Sequence, residues 1–191
     1  MKAILFDCYG VLVGTGAWAI YERLGGNVEE DAELLDMWLN KLNSGSVSST
    51  EFNEAMGQAL QITPAEYAQA VKEDEKLNQP LLQYIREELA PHLKLAVVSN
   101  AAGASLRKQL TSNDLEVFDG VFISEEVGLL KPDPKFFEFA LEKLGVNAQE
   151  AVFVDDHQKY LDGAQSVGLQ TILYTDFTNL KSQLGLLISE K

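Results

Sequence analysis

Met1-Lys2-Ala3-Ile4-Leu5-Phe6-Asp7-Cys8-Tyr9-Gly10-Val11-Leu12 runs apolar at every position from Ala3 to Phe6 and then stops on an acid. A strand with one wet face alternates apolar and polar residues, so an unbroken run suits a strand covered on both faces. Four more short apolar runs recur at 95–98, 121–123, 151–154 and 171–174, separated by stretches of helical pattern. Helices between such strands supply parallel crossovers, and the expected fold is α/β, a doubly wound, mostly parallel sheet. In these sheets ligands gather beyond the C-terminal ends of the strands. The runs ending at Phe6, Val98 and Val154 are each followed at once by polar residues: Asp7, Ser99-Asn100 and Asp155-Asp156. That coincidence locates the candidate site.

The interval between the first and second strands is too long for one crossover and is filled by helical patterns. The predicted organisation is an α/β core of residues 1–13 and 80–191, with a small α-helical cap at 14–79. Leu34, Leu35, Trp38, Leu39 and Leu42 form one apolar stripe, and Phe52, Ala55, Met56, Ala59 and Leu60 a second. Ser48 with Glu51, and Thr63 with Pro64 and Glu66, read as helix starts closed by capping boxes. Gly14, Gly16, Gly25, Gly26 and Ser44-Gly45-Ser46 punctuate the insert as turns. The Lys72-Glu73-Asp74-Glu75-Lys76 stretch reads as a solvated helix face.

Across 191 residues, 46% hydrophobic and 23% charged content is ordinary globular usage and argues against disorder and coiled-coil architecture. With 15 basic against 29 acidic residues the formal charge is -14, a field opposed to nucleic-acid phosphates and anionic lipid. No apolar run approaches the ~20 residues needed to span a bilayer, and the opening run meets Asp7 before a signal-peptide core forms. A single cysteine, Cys8, fits a reducing compartment. The expectation is a cytoplasmic protein without nucleic-acid or membrane partners.

Asp7, at a strand end before a small turn, is placed to attack an electrophile. Asp155 and Asp156 are adjacent acids at another strand end. At an effective dielectric of ~20 and a separation of ~4 Å, each like pair costs about 4 kcal/mol. A hard divalent cation, Mg²⁺, takes carboxylates together with substrate phosphate oxygens and offsets that cost. Ser99 and Asn100 offer hydroxyl, amide and main-chain donors to a phosphoryl group. Lys131, in a turn stiffened by Pro132 and Pro134, brings a fixed positive charge.

As an ordered set, these pieces resemble the haloacid dehalogenase (HAD) superfamily, in particular its phosphatase-like branch with a helical cap after the first strand. The resemblance rests on Phe6-Asp7-Cys8-Tyr9-Gly10-Val11-Leu12, Val98-Ser99-Asn100, Lys131-Pro132-Asp133-Pro134, and Val154-Asp155-Asp156 with Gly163-Ala164 and Gly168. It implies Asp7 as nucleophile, Ser99 and Asn100 as phosphate ligands, and Lys131 as the charge that steadies both. It also implies Mg²⁺ held by Asp7, Asp155, Asp156 and the Tyr9 carbonyl. The implied activity is a Mg²⁺-dependent phosphohydrolase of small phosphorylated metabolites, working through an aspartyl-phosphate.

Family phosphatases carry an acid/base Asp two residues after the nucleophile, where this chain has Tyr9. A phenol of reference pKa ~10 is poorly matched to proton transfer near neutrality. Tyr at this place is similar to the family's 2-haloacid dehalogenases, which makes metal-independent dehalogenation the alternative activity. A phospho-ligand-binding protein with weakened turnover is the non-enzymatic alternative. His157 suits the vacant acid/base role by its reference pKa of ~6.5 but is expected at a helix start, on the surface or bonded to Asp156.

Overall fold

Each apolar run forms the strand its pattern predicts. In the computed structural model, which describes residues 1–189, the strands are β1 (Ala3–Phe6), β2 (Lys94–Ser99), β3 (Gly120–Ile123), β4 (Ala151–Asp155) and β5 (Gln170–Leu173). The helices are α1 (Gly16–Arg23), α2 (Ala32–Asn43), α3 (Ser49–Leu60), α4 (Pro64–Asp74), α5 (Gln79–Tyr84), α6 (Gly103–Gln109), α7 (Ser112–Leu115), α8 (Ser124–Val127), α9 (Pro134–Leu144), α10 (Gln158–Ser166) and α11 (Phe177–Ser189). All strand pairs are parallel, in the order β3-β2-β1-β4-β5. The chain builds outward from β1 through β2 to β3, then returns to lay β4 and β5 on the other side. Successive crossovers therefore diverge between β1 and β4, and a crevice opens at the ends of those two strands. Phe6 pairs in register with Val154, which carries Asp7 up beside Asp155.

The period-two alternation within each strand feeds two cores. Ile4, Phe6, Leu95, Val97, Val152 and Val154 pack on one face against Leu81 and Leu82 of α5, Leu106 of α6, and Leu180 and Leu184 of α11. Ala3, Leu5, Ala96, Val98, Ala151 and Phe153 pack on the other, against Phe136, Phe137 and Ala140 of α9 and Leu161 and Ala164 of α10. Two apolar layers against one sheet explain why the strands read as unbroken runs.

Between β1 and β2, helices α1 to α4 enclose a third cluster: Ile20, Tyr21, Leu35, Phe52, Met56, Tyr67 and Ala70. Both capping boxes form. The Ser48 and Thr63 hydroxyls accept from the N–H groups of Glu51 and Glu66, whose carboxylates accept in return from the N–H groups of Ser48 and Thr63. Trp38, Leu39 and Leu42 pack against the cluster as their stripe predicts. Ala59 does not; it lies exposed on the outer side of α3. The segment leaves and re-enters the α/β layers at adjacent points: Val13 bridges Leu77, the Gly14 N–H donates to the Lys76 carbonyl at 2.9 Å, and the Asn78 N–H donates to the Leu12 carbonyl at 2.9 Å. Among the described residues no helix is long and apolar enough to cross a membrane.

Candidate active site

Asp7 follows directly on β1, and its N–H donates to the Val154 carbonyl at 2.9 Å, which ties it to the end of β4. Its Oδ1 accepts from the Cys8 N–H at 2.6 Å and lies 2.8 Å from Lys131 Nζ. The same ammonium lies 2.7 Å from Oδ2 of Asp155, the last residue of β4. Asp155 Oδ1 accepts from the His157 N–H at 2.8 Å. One buried cation thus grips two carboxylates from neighbouring strands.

Lys131 is 1% exposed, and its placement has local causes. The Asn100 side chain donates to the Lys131 carbonyl at 2.9 Å and accepts from the Lys131 N–H at 2.8 Å, so both ends of its amide hold the main chain of that turn. The clamp uses one of the two hydrogens on Nδ2, and Asn100 also lines the cavity above the acids. From below, α10 comes up against the turn at Gly163, where an added Cβ would lie 2.4 Å from the Pro132 carbonyl oxygen. The ammonium also lies 4.8 Å from the Tyr160 ring centre and 5.3 Å from that of Phe153. Burial opposes its charge, but Asp155 and Asp7 outweigh burial and hold Lys131 protonated, above its ordinary range.

Asp156 completes an acidic triad: one oxygen each from Asp7, Asp155 and Asp156 lies within 4.8 Å of the others. Room for its side chain comes from glycines. A Cβ at Gly10, whose φ is +91°, would lie 2.2 Å from Asp156 Oδ2, and one at Gly16 would lie 3.0 Å from the same atom. Burial first, then the Asp7 charge, pushes the Asp156 carboxyl up to about 7. Asp155, buried as it is, has Lys131 Nζ at 2.7 Å to offset its charge, a contact that Asp156 lacks. Three clustered carboxylates, two of them in contact with one ammonium, leave negative charge uncompensated, an arrangement suited to a hard cation with oxygen ligands.

Above this base lies a cavity of about 290 Å³, between the strand ends and helices α1 to α4. Tyr9 lines it, with its hydroxyl 2.9 Å from Ser105 Oγ. Burial raises the phenol beyond its ordinary value, so it is an even weaker proton donor than the sequence implies. His157 lines the cavity too and is not on the surface as expected. Trp18 of α1 covers it with ring centres 4.6 Å apart, and the ring of Tyr160, in the first turn of α10, lies 5.1 Å away. Burial lowers the imidazole pKa, which keeps the ring neutral at pH 7.

Among the described residues, the buried side-chain polar atoms without a hydrogen-bond partner are Trp18 Nε1, Tyr67 Oη, Ser99 Oγ and His157 Nδ1. Three belong to residues lining the cavity, and Ser99 directly precedes a fourth lining residue, Asn100. Folded proteins seldom leave such atoms unpaired, and their concentration here marks a site built to receive something polar.

Sequence reasoning missed Asp74 and Glu75. The stretch 72–76 is not simply a solvated face: α4 ends at Asp74, which accepts from the Thr15 N–H and hydroxyl at 2.7 Å each, and both acids line the cavity. Glu75 accepts from Gln109 Nε2 at 2.6 Å. None of the described residues lining the cavity is Lys or Arg.

A parallel sheet with its crevice between β1 and β4, floored by acids and a buried lysine, defines a Rossmann-like α/β hydrolase. The chain belongs to the haloacid dehalogenase-like hydrolases, whose family model matches residues 51–174. The match begins after β1, so Asp7 lies outside it. The (S)-2-haloacid dehalogenase 4A of Burkholderia cepacia is 27% identical over 192 residues, covering 90% of this chain and 82% of that protein. Acyl-CoA dehydrogenase family member 10 of Mus musculus is 28% identical over 188 residues and aligns with 90% of this chain, which spans only 18% of that relative's length. The fold is shared with a HAD family enzyme of Bacteroides thetaiotaomicron solved with magnesium and inorganic phosphate, at a TM-score of 0.65, 19% identity and coverage of 94% of this chain and 98% of that one.

Proposed function

We propose that the chain is a Mg²⁺-dependent phosphohydrolase acting on a small phosphorylated metabolite through an aspartyl-phosphate on Asp7, with residues 14–79 serving as a cap over the site. The observation that carries this reading is the convergence of three carboxylates within 4.8 Å around a single ammonium that contacts two of them. Asp7, Asp155, Asp156 and the Tyr9 carbonyl would hold Mg²⁺. The lack of a Cβ at Gly10 and Gly16, which gives the Asp156 carboxylate its place, and the unpaired Ser99 hydroxyl fit an ion and a phosphoryl group here. The magnesium and phosphate of the Bacteroides thetaiotaomicron enzyme support the same reading.

When bound, Mg²⁺ supplies positive charge to phosphoryl oxygens. The remaining work belongs to the chain. The Cys8 N–H and Lys131 hold Asp7 Oδ1, so attack on phosphorus is assigned to Oδ2. As the Oδ2–P bond forms, the bond from phosphorus to the leaving oxygen breaks. Ser99 and Asn100 position the equatorial oxygens, and Lys131 stays protonated throughout. Water then hydrolyses the acyl phosphate and restores the Asp7 carboxylate. Tyr9, with its raised pKa and its hydroxyl bonded to Ser105, is unsuited to protonate an alkoxide, so acyl and aryl phosphates should outpace alkyl phosphates. Asp7→Asn should lower Mg²⁺-dependent phosphate release from acetyl phosphate by at least ~10³-fold. Survival of most of that activity would reject the assignment.

The second reading is 2-haloacid dehalogenation, favoured by Tyr9 on the cavity wall and by the Burkholderia cepacia relative. Against it, a haloacid carboxylate would find no Lys or Arg among the lining residues and would meet an Asp156 charge that Lys131 does not contact. Metal-independent release of halide from 2-chloropropionate would establish it over the phosphatase reading.

A further inference from the structure

We propose that the group esterified to the phosphate is compact, uncharged and apolar, not a sugar, a polyol or a second anionic moiety. This inference rests on the phosphohydrolase reading and names its substrate class. The cavity of about 290 Å³ lies at the lower end of the ~300–1,000 Å³ typical of ligand pockets, so the group beyond the phosphate is small. Much of the rest of its wall is built by Val13, Ile20, Leu39, Leu42, Phe52 and Val71, supplied by all four inserted helices and the segment after β1.

The polar lining offers a polyol little. Trp18 Nε1 and His157 Nδ1, both unpaired, belong to rings 4.6 Å apart beside Asp156 at the acidic end, which leaves Tyr67 Oη as the one unpaired buried polar atom among the other described lining residues, too few for a polyol. Asp74 is committed to Thr15, Glu75 to Gln109, and Tyr9 to Ser105. Asn43, Ser49 and Asn53, at the α2–α3 end of the wall, are half-buried or exposed and thus closest to water. A hydroxyl-rich group seated against the apolar wall would leave its donors unpaired, which strongly disfavours binding. A second anionic group fares worse, because the lining carries Asp74, Glu75 and Asp156 and no Lys or Arg, within a chain of formal charge -14.

The test compares hexyl phosphate with glucitol 6-phosphate on the Mg²⁺-loaded full chain. Both release a primary alcohol of six carbons, and the inductive effect of the hydroxyls makes the polyol the better leaving group, so a hexyl preference cannot arise from leaving-group acidity. The expected result is a kcat/KM at least tenfold higher for hexyl phosphate, rising about three- to fourfold per methylene from butyl to hexyl. Leu42→Asn, at a half-buried position, should shrink the hexyl-to-glucitol ratio. Equal or faster turnover of glucitol 6-phosphate, in a preparation that hydrolyses acetyl phosphate, would overturn the substrate class and leave the phosphatase reading standing. If acetyl phosphate is not hydrolysed, the phosphatase reading fails, and calorimetry of the same two monoesters decides this inference. Tighter binding of hexyl phosphate upholds it, and equal or weaker binding overturns it.

Discussion

Replacing Asp156 with Asn should stabilise the metal-free protein and abolish its response to Mg²⁺. An Asp156 oxygen lies within 4.8 Å of oxygens on both Asp7 and Asp155, whereas Lys131 contacts those two carboxylates, at 2.8 and 2.7 Å, and not the third. At an effective dielectric of ~20, each like pair at that distance costs about 3–4 kcal/mol. Protonation relieves part of this: moving a carboxyl from 3.8 to about 7 corresponds to ~4 kcal/mol. The sign follows from proton binding. Between pH ~4 and ~7 the folded protein holds a proton that the unfolded chain has released, so stability falls as pH rises through that window, and the full penalty persists above it. Asn keeps the shape and removes the charge. At pH 8 in EDTA the variant should therefore be about 2–4 kcal/mol more stable, or about 5–15 °C higher in Tm for a chain of this size. Its pH profile between 4 and 7 should be correspondingly flatter. Addition of 10 mM Mg²⁺ should raise the Tm of the wild type and leave the variant nearly unchanged. Differential scanning fluorimetry across pH, with and without Mg²⁺, reads all three quantities. A variant no more stable than wild type at pH 8 in EDTA, or one with an undiminished Mg²⁺ shift, would refute the electrostatic reasoning.

Gly10→Ala places a Cβ 2.2 Å from Asp156 Oδ2 at a left-handed φ, so it should cost about 1–2 kcal/mol of backbone energy and raise the Mg²⁺ needed for half-maximal activity at least tenfold. Gly25→Ala, at φ +96° with nothing within 4 Å, should carry the backbone cost alone in urea denaturation and keep the wild-type Mg²⁺ titration. Lys131→Met leaves Asp7 and Asp155 without their shared ammonium and should cost about 3–5 kcal/mol in the same denaturation assay, with phosphate release reduced to background at every Mg²⁺ concentration. Tyr9→Asp supplies a carboxyl two residues past Asp7 and should raise alkyl-phosphate turnover by about 10–10²-fold relative to acetyl phosphate; an unchanged ratio with Mg²⁺ affinity intact would assign proton transfer elsewhere. Ser48→Ala removes one capping bond of α3 and should lower stability by ~1 kcal/mol without altering kcat.

What could be read from the chain in advance was what neighbouring residues decide among themselves. The five strands were legible because a strand buried on both faces is apolar at every position, and the starts of α3 and α4 because a capping box closes within three residues. Asp7, Asp155 and Asp156 were legible as candidates because each follows an apolar run. Roles set by distant partners were hidden. Asp74 reads as one more acid in a charged helix end, because Thr15 lies 59 residues earlier. His157 reads as a surface residue until α1 lays Trp18 over it. Gly10 reads as a turn glycine, which its φ bears out, but its second reason, clearance for Asp156, exists only once β1 and β4 are paired. Asn100 reads as a phosphate donor, and only the fold shows that its amide also holds the main chain at Lys131. Charge ties these pieces together. With Asp156 ionised, three carboxylates against one ammonium leave a balance of -2, and among the described residues lining the cavity there is no Lys or Arg to correct it. A divalent cation brings the sum to zero, so a phosphate dianion would approach a neutral site where it would otherwise meet a field of its own sign. The same imbalance would make metal binding and phosphate binding interdependent under the proposed function, and each should then strengthen the other.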